Sequence, residues 1–333
     1  MDHNKRIKTI QTIIESINLT GNSLLSINDL SNDQIYGLFE LAKALEPWNR
    51  SMTPLATGKV MSTLFFQPST RTRMSFETAM QRLGGGVISE ANPLVTSSAA
   101  KEESLHDMLK VVSKYANIIV LRHFNDKEAR EAIPLSESPV INGGLGHWEH
   151  PTQALLDLYT LWSMYGRIEG LNVCIASPDL IGARTGHSMA YGLARLGANV
   201  TLASNKSHRT PEEVLEKINS MGGKVQESLD HTQDSFNSLI KDMHLVYLPG
   251  CSAPKGPESD EFKKLMEQYY VRFETLEEVR ERENRTIYVT HTLPRRKGEM
   301  DLRIDNSPYQ LYFEAIGFSV SIRMALVASI LGI

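Results

Sequence analysis

The chain has 333 residues, of which 41% are hydrophobic and 22% are charged. This length exceeds what one core usually supports, so we expect two domains. A net charge of −4 without a basic stripe argues against nucleic acid as a partner. No continuous apolar run approaches the roughly 20 residues that span a bilayer, so we also expect no membrane partner.

The first 19 residues predict a helix rather than an export signal, because the five isoleucines between Ile7 and Ile17 are spaced along one helix face. The two cysteines, Cys174 and Cys251, are too few for a disulfide framework. We therefore expect a cytoplasmic protein whose cysteines are small interior residues.

Strand-like apolar runs alternate with segments of helical spacing along the chain. The runs are 60–66, 87–89, 117–122 and 140–142, followed by 171–177, 199–204, 244–249 and 286–290. This alternation is typical of parallel sheets, and it predicts an α/β protein with two consecutive doubly wound domains.

A helix beginning at Pro151 is predicted to join the two domains. Proline suits the first helical turn, apolar residues from Leu155 to Tyr165 form one stripe, and Gly166 can end the helix. We place the first domain at 1–150 and the second at 151–318. Residues 319–331 again have helical spacing, and 250–260, rich in Gly, Pro and Ser, predict a mobile loop.

The segment Ser69-Thr70-Arg71-Thr72-Arg73 places three hydroxyls and two guanidinium groups at a strand-to-helix junction. A helix start presents unpaired N–H groups and the positive end of its dipole, and arginine offers forked donors to phosphate oxygens. These residues predict a phosphate site. The alternative is a helix cap followed by solvated arginines.

Four motifs in the same order resemble the aspartate and ornithine carbamoyltransferase family. Ser69–Arg73 with Ser75-Phe76-Glu77 is similar to its carbamoyl-phosphate signature, and His150–Leu158 is similar to its second hallmark. Between them Arg122-His123 closes a predicted strand, and His291–Arg295 resembles the His-x-Leu-Pro-Arg loop. The similarity runs from about residue 64 to the C-terminus.

The resemblance implies that an uncharged amine attacks the carbonyl carbon of carbamoyl phosphate and that phosphate leaves, without a cofactor or a metal. It implies that the first domain binds carbamoyl phosphate, that the second binds an amino-acid acceptor, and that helix 319–331 returns to the first domain. It assigns Ser69, Thr70, Arg71 and Thr72 to the phosphate, Thr72, Arg122 and His150 to the carbonyl oxygen, and Gln153 to the carbamoyl nitrogen.

Zinc binding and a structural role are the two alternatives for His150. His147, Glu149 and His150 are residue types that bind zinc, but no second ligand pair with suitable spacing follows. A core or capping histidine is the other alternative. We favour an N–H donor to the carbonyl oxygen, which works best if its pKa is kept from rising.

The segment 96–105 reads as an exposed polar loop that enters a helix. The resemblance implies that Ser97 and Lys101 reach into the active site of a neighbouring subunit, so we expect a homotrimer or a multiple of it. The family has a glycine where this chain has Glu102, whose carboxylate would weaken the positive charge of Lys101.

The acceptor is less well defined by the sequence. Arg184 matches the family's Gly-Arg-Thr-x-His-Ser turn and should bind an α-carboxylate, and Leu293 and Arg295 belong to the same substrate site by resemblance. Aspartate enzymes also carry an Arg and a Gln after the strand that here ends near Pro249 and Cys251, and neither residue can grip a carboxylate. Lys255 could substitute, although lysine and arginine are not equivalent. The Ser-Met-Gly and His-Cys-Leu-Pro elements of the ornithine enzymes are also missing.

We predict a carbamoyltransferase with an amino-acid acceptor. Aspartate, which would give N-carbamoyl-aspartate and a role in pyrimidine biosynthesis, is the leading candidate, and another amine is the alternative. A non-catalytic homologue that binds carbamoyl phosphate is disfavoured by the intact Arg71, Thr72, Arg122, His150 and Gln153. An NAD-dependent dehydrogenase is disfavoured because the turn after Ser177 lacks G-x-G-x-x-G and no acidic residue ends the strand 199–204.

Overall fold

The computed structural model describes residues 3–250 and 259–333. Within these ranges the strands are β1 (Val60–Phe65), β2 (Gly86–Glu90), β3 (Ile118–His123), β4 (Val140–Leu145), β5 (Asn172–Ala176), β6 (Asn199–Ser204), β7 (Lys224–Leu229), β8 (Leu245–Leu248) and β9 (Tyr288–His291). The α-helices are α1 (His3–Ile17), α2 (Asn32–Leu45), α3 (Thr70–Arg82), α4 (Pro93–Thr96), α5 (Leu105–Val112), α6 (Asp126–Ala132), α7 (Pro151–Tyr165), α8 (Arg184–Arg195), α9 (Glu212–Ser220), α10 (Gln233–Ile240), α11 (Asp260–Gln268), α12 (Phe273–Glu283) and α13 (Tyr312–Leu331).

The chain divides into two compact units. The first unit is Met1–Tyr159 with Gly317–Ile333, and the second unit is Thr160–Ile316. The chain passes from the first unit to the second within α7 and returns within α13. The predicted α/β class, the two parallel sheets, the joining helix and the returning C-terminal helix are confirmed.

The sheet of the first unit has the strand order β2-β1-β3-β4, and all pairs are parallel. The chain leaves β1 for β2 on one side and then crosses to β3 on the other. The carboxyl ends of β1 and β3 therefore flank a topological switch point, where open α/β sheets bind their ligands. Phe65 of β1 lies in register with Arg122 of β3 at this edge.

The sheet of the second unit has the order β7-β6-β5-β8-β9 and is also parallel. Its switch point lies between β5 and β8, at the segments that follow Ala176 and Leu248. The edge strand β7 was not predicted. None of its residues is fully buried, and they include Lys224, Gln226 and Glu227, so it lacks the continuous apolar run of the central strands.

The C-terminal helix begins at Tyr312, seven residues earlier than predicted. It has 20 residues and by length and composition is apolar enough to cross a membrane, but it is not a continuous apolar run, because it contains Glu314 and Arg323. However, 67% of its most apolar window is buried inside the protein. A helix that is apolar on all sides is also typical of a protein core.

Two smaller predictions concern the cysteines and a loop. Cys174 on β5 is buried, as predicted, and burial raises the pKa of its thiol to about 12. Cys251, Lys255 and most of the predicted loop 250–260 lie outside the described residues, and Asp260 already begins α11.

Candidate active site

The start of α3 does not behave as an ordinary helix cap. Ser69 occupies the N-cap position with extended backbone, but its side chain accepts no hydrogen bond from the helix. In the same unit Ser31 and Ser104 do cap their helices, accepting from Gln34 N and Asp107 N at 3.1 Å each. The Ser69 hydroxyl is therefore not used to satisfy the helix that it precedes, contrary to the capping alternative.

Arg71 and Arg73 lie on different faces of α3. Arg73 donates from Nη1 to Glu77 Oε1 at 3.0 Å and to Ser89 Oγ at 3.2 Å. Residues two positions apart on an α-helix point about 200° apart. Arg73 is thus bonded to Glu77 and Ser89, whereas Arg71, the arginine that the resemblance assigns to the phosphate, is exposed on another face.

Thr72, Arg122 and His150 come together in the first unit. The Thr72 hydroxyl lies 3.4 Å from His150 Nε2, and both residues are buried. Arg122, at the end of β3, donates from Nη1 to the carbonyl oxygen of Gly143 at 3.2 Å. Three side chains that can donate hydrogen bonds thus surround the switch point of this sheet.

His150 is held at the N-terminus of α7. Its carbonyl oxygen accepts hydrogen bonds from the backbone N–H groups of Gln153 at 3.0 Å and Ala154 at 3.2 Å. Its Nδ1 lies 3.3 Å from the Thr152 hydroxyl. The ring therefore has a hydroxyl at each nitrogen, which fixes its direction toward Thr72.

Gly144 permits this close packing and was not among the residues predicted from the sequence. Its φ is +114°, and a Cβ atom built there would lie 2.9 Å from Arg122 Nη1 and 3.2 Å from His150 Cδ2. The backbone of β4 thus passes against both side chains. The signal was present in the sequence, because Gly143 and Gly144 directly follow the predicted strand 140–142.

The residue before His150 is tied to the N-terminal segment. Glu149 is buried, and its carboxylate accepts from Ser26 Oγ at 2.6 Å and from Ile27 N at 3.1 Å. The amide of buried Asn142 donates to the carbonyl oxygens of Glu149 at 3.2 Å and Leu25 at 2.7 Å. Glu149 is therefore used to brace the His150 loop, and 3–250 with 259–333 contain no His/Cys/Asp/Glu group able to hold a metal ion.

Gln153 lies one turn into α7. Its Nε2 donates to both carboxylate oxygens of Asp157, at 3.0 and 3.1 Å. Asp157 was not singled out from the sequence, although its i, i+4 spacing from Gln153 places the two side chains on one helix face.

Ser97 and Lys101 lie in a separate loop, where Lys101 is exposed. The Ser97 hydroxyl donates to the carbonyl oxygen of Pro93 at 2.8 Å and accepts from Ala99 N at 3.2 Å. Glu102 has a φ of +67°, in the left-handed region that glycine adopts most readily. A glycine, which the resemblance implies at this position, would adopt this backbone conformation without strain.

In the second unit, Arg184 is the first residue of α8, after β5 and its following turn. Burial lowers the pKa of its guanidinium. His187, one turn later, is buried and donates from Nε2 to the carbonyl oxygen of Leu180 at 2.7 Å, and burial lowers the pKa of its ring. This bond closes the turn that leads to Arg184.

The loop after β9 is shaped by a buried histidine. His291 Nδ1 accepts from Leu293 N at 2.8 Å, so its Nε2 carries the proton that is donated to Glu299 Oε2 at 2.8 Å. Glu299 Oε2 also accepts from Arg296 N at 2.6 Å. These bonds hold Leu293 at a φ of +54°, which costs an L-residue about 1–2 kcal/mol.

Arg295 already has a carboxylate partner within the second unit. Its guanidinium pairs with Asp305 through both terminal nitrogens, with Nη2 to Oδ2 at 2.9 Å, and lies 5.2 Å from the centre of the Tyr312 ring. The hydrogen bond to Asp305 raises the pKa of Arg295. An acceptor carboxylate at Arg295 would therefore compete with Asp305 for the same guanidinium.

Pro249 lies at the carboxyl end of β8, beside the switch point of the second sheet. Its carbonyl oxygen accepts from Thr292 Oγ1 at 2.9 Å and from Thr185 Oγ1 at 3.4 Å. These bonds join the segments after β5, β8 and β9, and the proline side chain offers no charge or donor there.

Comparison with known proteins agrees with these features. Residues 22–163 match the model of the aspartate/ornithine carbamoyltransferase carbamoyl-P binding domain, and residues 169–330 match that of the Asp/Orn binding domain. The chain is 66% identical over 327 residues to a ureidoglycine carbamoyltransferase of Rubrobacter xylanophilus, covering 98% of this chain and 96% of the relative. It is 38% identical over 311 residues to the aspartate carbamoyltransferase catalytic subunit of Methanococcoides burtonii, covering 93% and 97%.

Solved structures give the same result. Aspartate transcarbamoylase from Trypanosoma cruzi in complex with N-(phosphonacetyl)-L-aspartic acid has a TM-score of 0.82 at 29% identity, covering 94% of this chain and 97% of that one. The catalytic subunit of M. jannaschii aspartate transcarbamoylase has a TM-score of 0.78 at 36% identity, covering 92% of this chain and 96% of that one. The chain therefore belongs to the aspartate/ornithine carbamoyltransferase family, and it is a carbamoyltransferase.

Proposed function

We propose that the first unit binds carbamoyl phosphate at the start of α3 and that the acceptor is ureidoglycine rather than aspartate. The observation that carries the choice of acceptor is the segment at Pro249, after β8, near which aspartate enzymes are expected to carry an arginine and a glutamine. The 66% identity to a ureidoglycine carbamoyltransferase, against 38% to an aspartate enzyme, supports the same choice.

The start of α3 supplies what a leaving phosphate needs. Backbone N–H groups at a helix N-terminus and the hydroxyls of Ser69, Thr70 and Thr72 are suited to phosphate oxygens. Arg71 adds a forked cation. We assign these four residues to the phosphate of carbamoyl phosphate.

Thr72, Arg122 and His150 are assigned to the carbonyl oxygen. As the amine attacks, this oxygen gains negative charge, and donors that are already in place stabilise it without reorganisation. The hydrogen-bonded position of His150 and the close contact of Arg122 with β4 provide this preorganisation. Gln153 is assigned to the carbamoyl nitrogen.

The reaction balances without a further reagent. The amine nitrogen forms a bond to the carbonyl carbon, the bond from that carbon to the bridging oxygen breaks, and phosphate leaves. The attacking nitrogen loses one proton, and the departing phosphate is a suitable acceptor for it. With ureidoglycine the product is an acetate that carries two ureido groups on one carbon.

Ureidoglycine and aspartate differ in the charge of the side chain. Both have an α-carboxylate, which we assign to Arg184, with Leu293 and Arg295 retained as predicted substrate-binding residues. Aspartate adds a second carboxylate, which needs its own cationic partner when buried. The ureido group is neutral, so a site without an arginine near Pro249 can bind it at a lower desolvation cost.

Aspartate, the acceptor predicted from the sequence, is thus less well supported than the alternative of a different amine. The predicted role in pyrimidine biosynthesis depends on aspartate and is less well supported for the same reason. We retain the other expectations from the sequence, a cytoplasmic enzyme and a homotrimer in which Ser97 and Lys101 complete the anion site of a neighbour.

Mixing Lys101→Ala chains with Arg71→Ala chains should then restore part of the activity, whereas no recovery would indicate a site contained in one chain.

An acceptor comparison tests the proposal. Phosphate release is measured at fixed carbamoyl phosphate with ureidoglycine, aspartate, ornithine and short diamino acids. We expect kcat/KM for ureidoglycine to exceed that for aspartate by about 100-fold or more, because aspartate would leave a carboxylate unpaired. Equal or better use of aspartate would contradict the proposed acceptor while leaving carbamoyl transfer intact.

A further inference from the structure

The side chain of Gln153 has only one chemically sensible orientation. Asp157 is buried, with 5% of its surface exposed, and both of its oxygens lie at hydrogen-bond distance from Gln153 Nε2. An ionised carboxylate accepts hydrogen bonds and cannot donate one. The amide nitrogen of Gln153 must therefore face Asp157, and its oxygen must face the other way.

A buried cation stabilises this carboxylate. Arg323, on α13, is 2% exposed and donates from Nη1 to the carbonyl oxygen of Ser319 at 3.4 Å. Burial lowers the pKa of Arg323 to about 10, and the charge of Asp157 opposes that change. Arg323 is therefore still protonated at neutral pH, and a nearby cation favours the ionised form of a carboxylate.

Arg323 also touches the helix that begins at the phosphate site. Its guanidinium carbon lies 5.1 Å from the centre of the Phe76 ring on α3. The returning C-terminal helix thus contributes one residue that packs against α3 and interacts electrostatically with α7, the two helices whose N-termini carry the proposed site.

We propose that Asp157 and Arg323 are positioning residues that hold Gln153 with its amide oxygen as the group offered to substrate. A hydrogen-bond acceptor in this position binds the NH₂ group of a carbamoyl group, but it forms no hydrogen bond with the CH₃ group of an acetyl group. The pair thereby determines which acyl phosphate the enzyme prefers. The inference rests on the proposed binding of carbamoyl phosphate in the first unit.

The test uses two unreactive probes that differ only in this group. Phosphonoacetamide carries the amide NH₂, and acetonylphosphonate has a methyl group in its place. Dissociation constants of both, and of inorganic phosphate, are measured by calorimetry. We expect the wild-type enzyme to prefer phosphonoacetamide by about tenfold, the effect of one hydrogen bond in a partly buried site.

Asp157→Asn is the informative variant. Asparagine can either donate to or accept from Gln153, so it no longer fixes the amide. The preference for phosphonoacetamide should fall to about one, while the affinity for inorganic phosphate stays within about twofold, because only the amide contact is lost. A residue with a merely structural role would weaken all three ligands together.

Two further variants keep the result interpretable. Glu46→Gln removes a different carboxylate that binds α7. Glu46 Oε1 accepts from the Tyr159 hydroxyl at 2.5 Å and does not bind Gln153, so this variant should retain the preference for phosphonoacetamide. If Asp157→Asn does not fold because Arg323 is left buried without its counter-charge, Asp157→Asn with Arg323→Met removes both charges. This double variant should lose the preference as well.

The outcomes separate the two claims. Wild-type enzyme that binds neither probe contradicts the proposed function. Wild-type enzyme that binds both probes equally, or an Asp157→Asn variant that keeps the preference, overturns the positioning role and leaves the binding of carbamoyl phosphate in place.

Discussion

Replacing Arg71 by alanine is expected to lower kcat/KM for carbamoyl phosphate by about 1000-fold, the upper end of the usual effect of removing one donor from a developing charge. The loss should be large because Arg71, at the start of α3, is the guanidinium that we assign to the leaving phosphate. Phosphate release with saturating acceptor, measured across carbamoyl phosphate concentrations, gives the value directly.

Arg73→Ala is the matched control, two residues away on the same helix. Arg73 is engaged by Glu77 and Ser89 on another face. Its removal should cost about 1 kcal/mol of stability at most, as is typical of a partly exposed ion pair, and should change kcat/KM little. A reversed pattern, with Arg73→Ala inactive and Arg71→Ala normal, would refute the assignment of the phosphate site.

Gly144→Ala is expected to lower kcat by about 100-fold or more, because it displaces donors that must be placed to within a fraction of an ångström. The new methyl group would come within 2.9 Å of Arg122 Nη1 and 3.2 Å of His150 Cδ2, so these side chains or the backbone of β4 must move. Single-turnover rates at saturating carbamoyl phosphate report the effect on the chemical step.

Gly21→Ala separates strain from displacement. Gly21 also has a positive φ, +74°, but nothing lies within 4 Å of the atom that would be added. The Gly21→Ala variant should lose about 1 kcal/mol of stability and keep the kcat of the wild type. If Gly144→Ala lost only a similar amount of stability and kept its kcat, the convergence of Arg122 and His150 would not be needed for catalysis.

The architecture was predictable because its central strands are continuous apolar runs. β1, β3, β5 and β6 are buried on both faces, so sequence and structure agree there to within a residue or two. The edge strand β7 was missed because a polar, half-exposed strand resembles a loop in composition. Helix α13 was predicted too short, since Gly317 lies inside it and a single glycine only weakens a helix.

The functional residues were predictable where a motif carries them, but their side-chain directions were not. The i, i+4 spacing of Arg73 and Glu77 places them on one helix face, but the sequence could not show that the hydroxyls of Thr63 and Ser89 also bind Glu77. Nor could it show that Glu149 is taken by Ser26, which lies 123 positions away in the chain. Such pairings depend on contacts between distant segments, which periodicity does not report.

The position of a bound substrate analogue tests the central claim most directly. In crystals soaked with phosphonoacetamide, the phosphonate should lie at the N–H groups that begin α3 and at Arg71, with the amide oxygen toward Thr72, Arg122 and His150. A phosphonate bound elsewhere, or an empty site with Arg71 turned to solvent, would contradict the account.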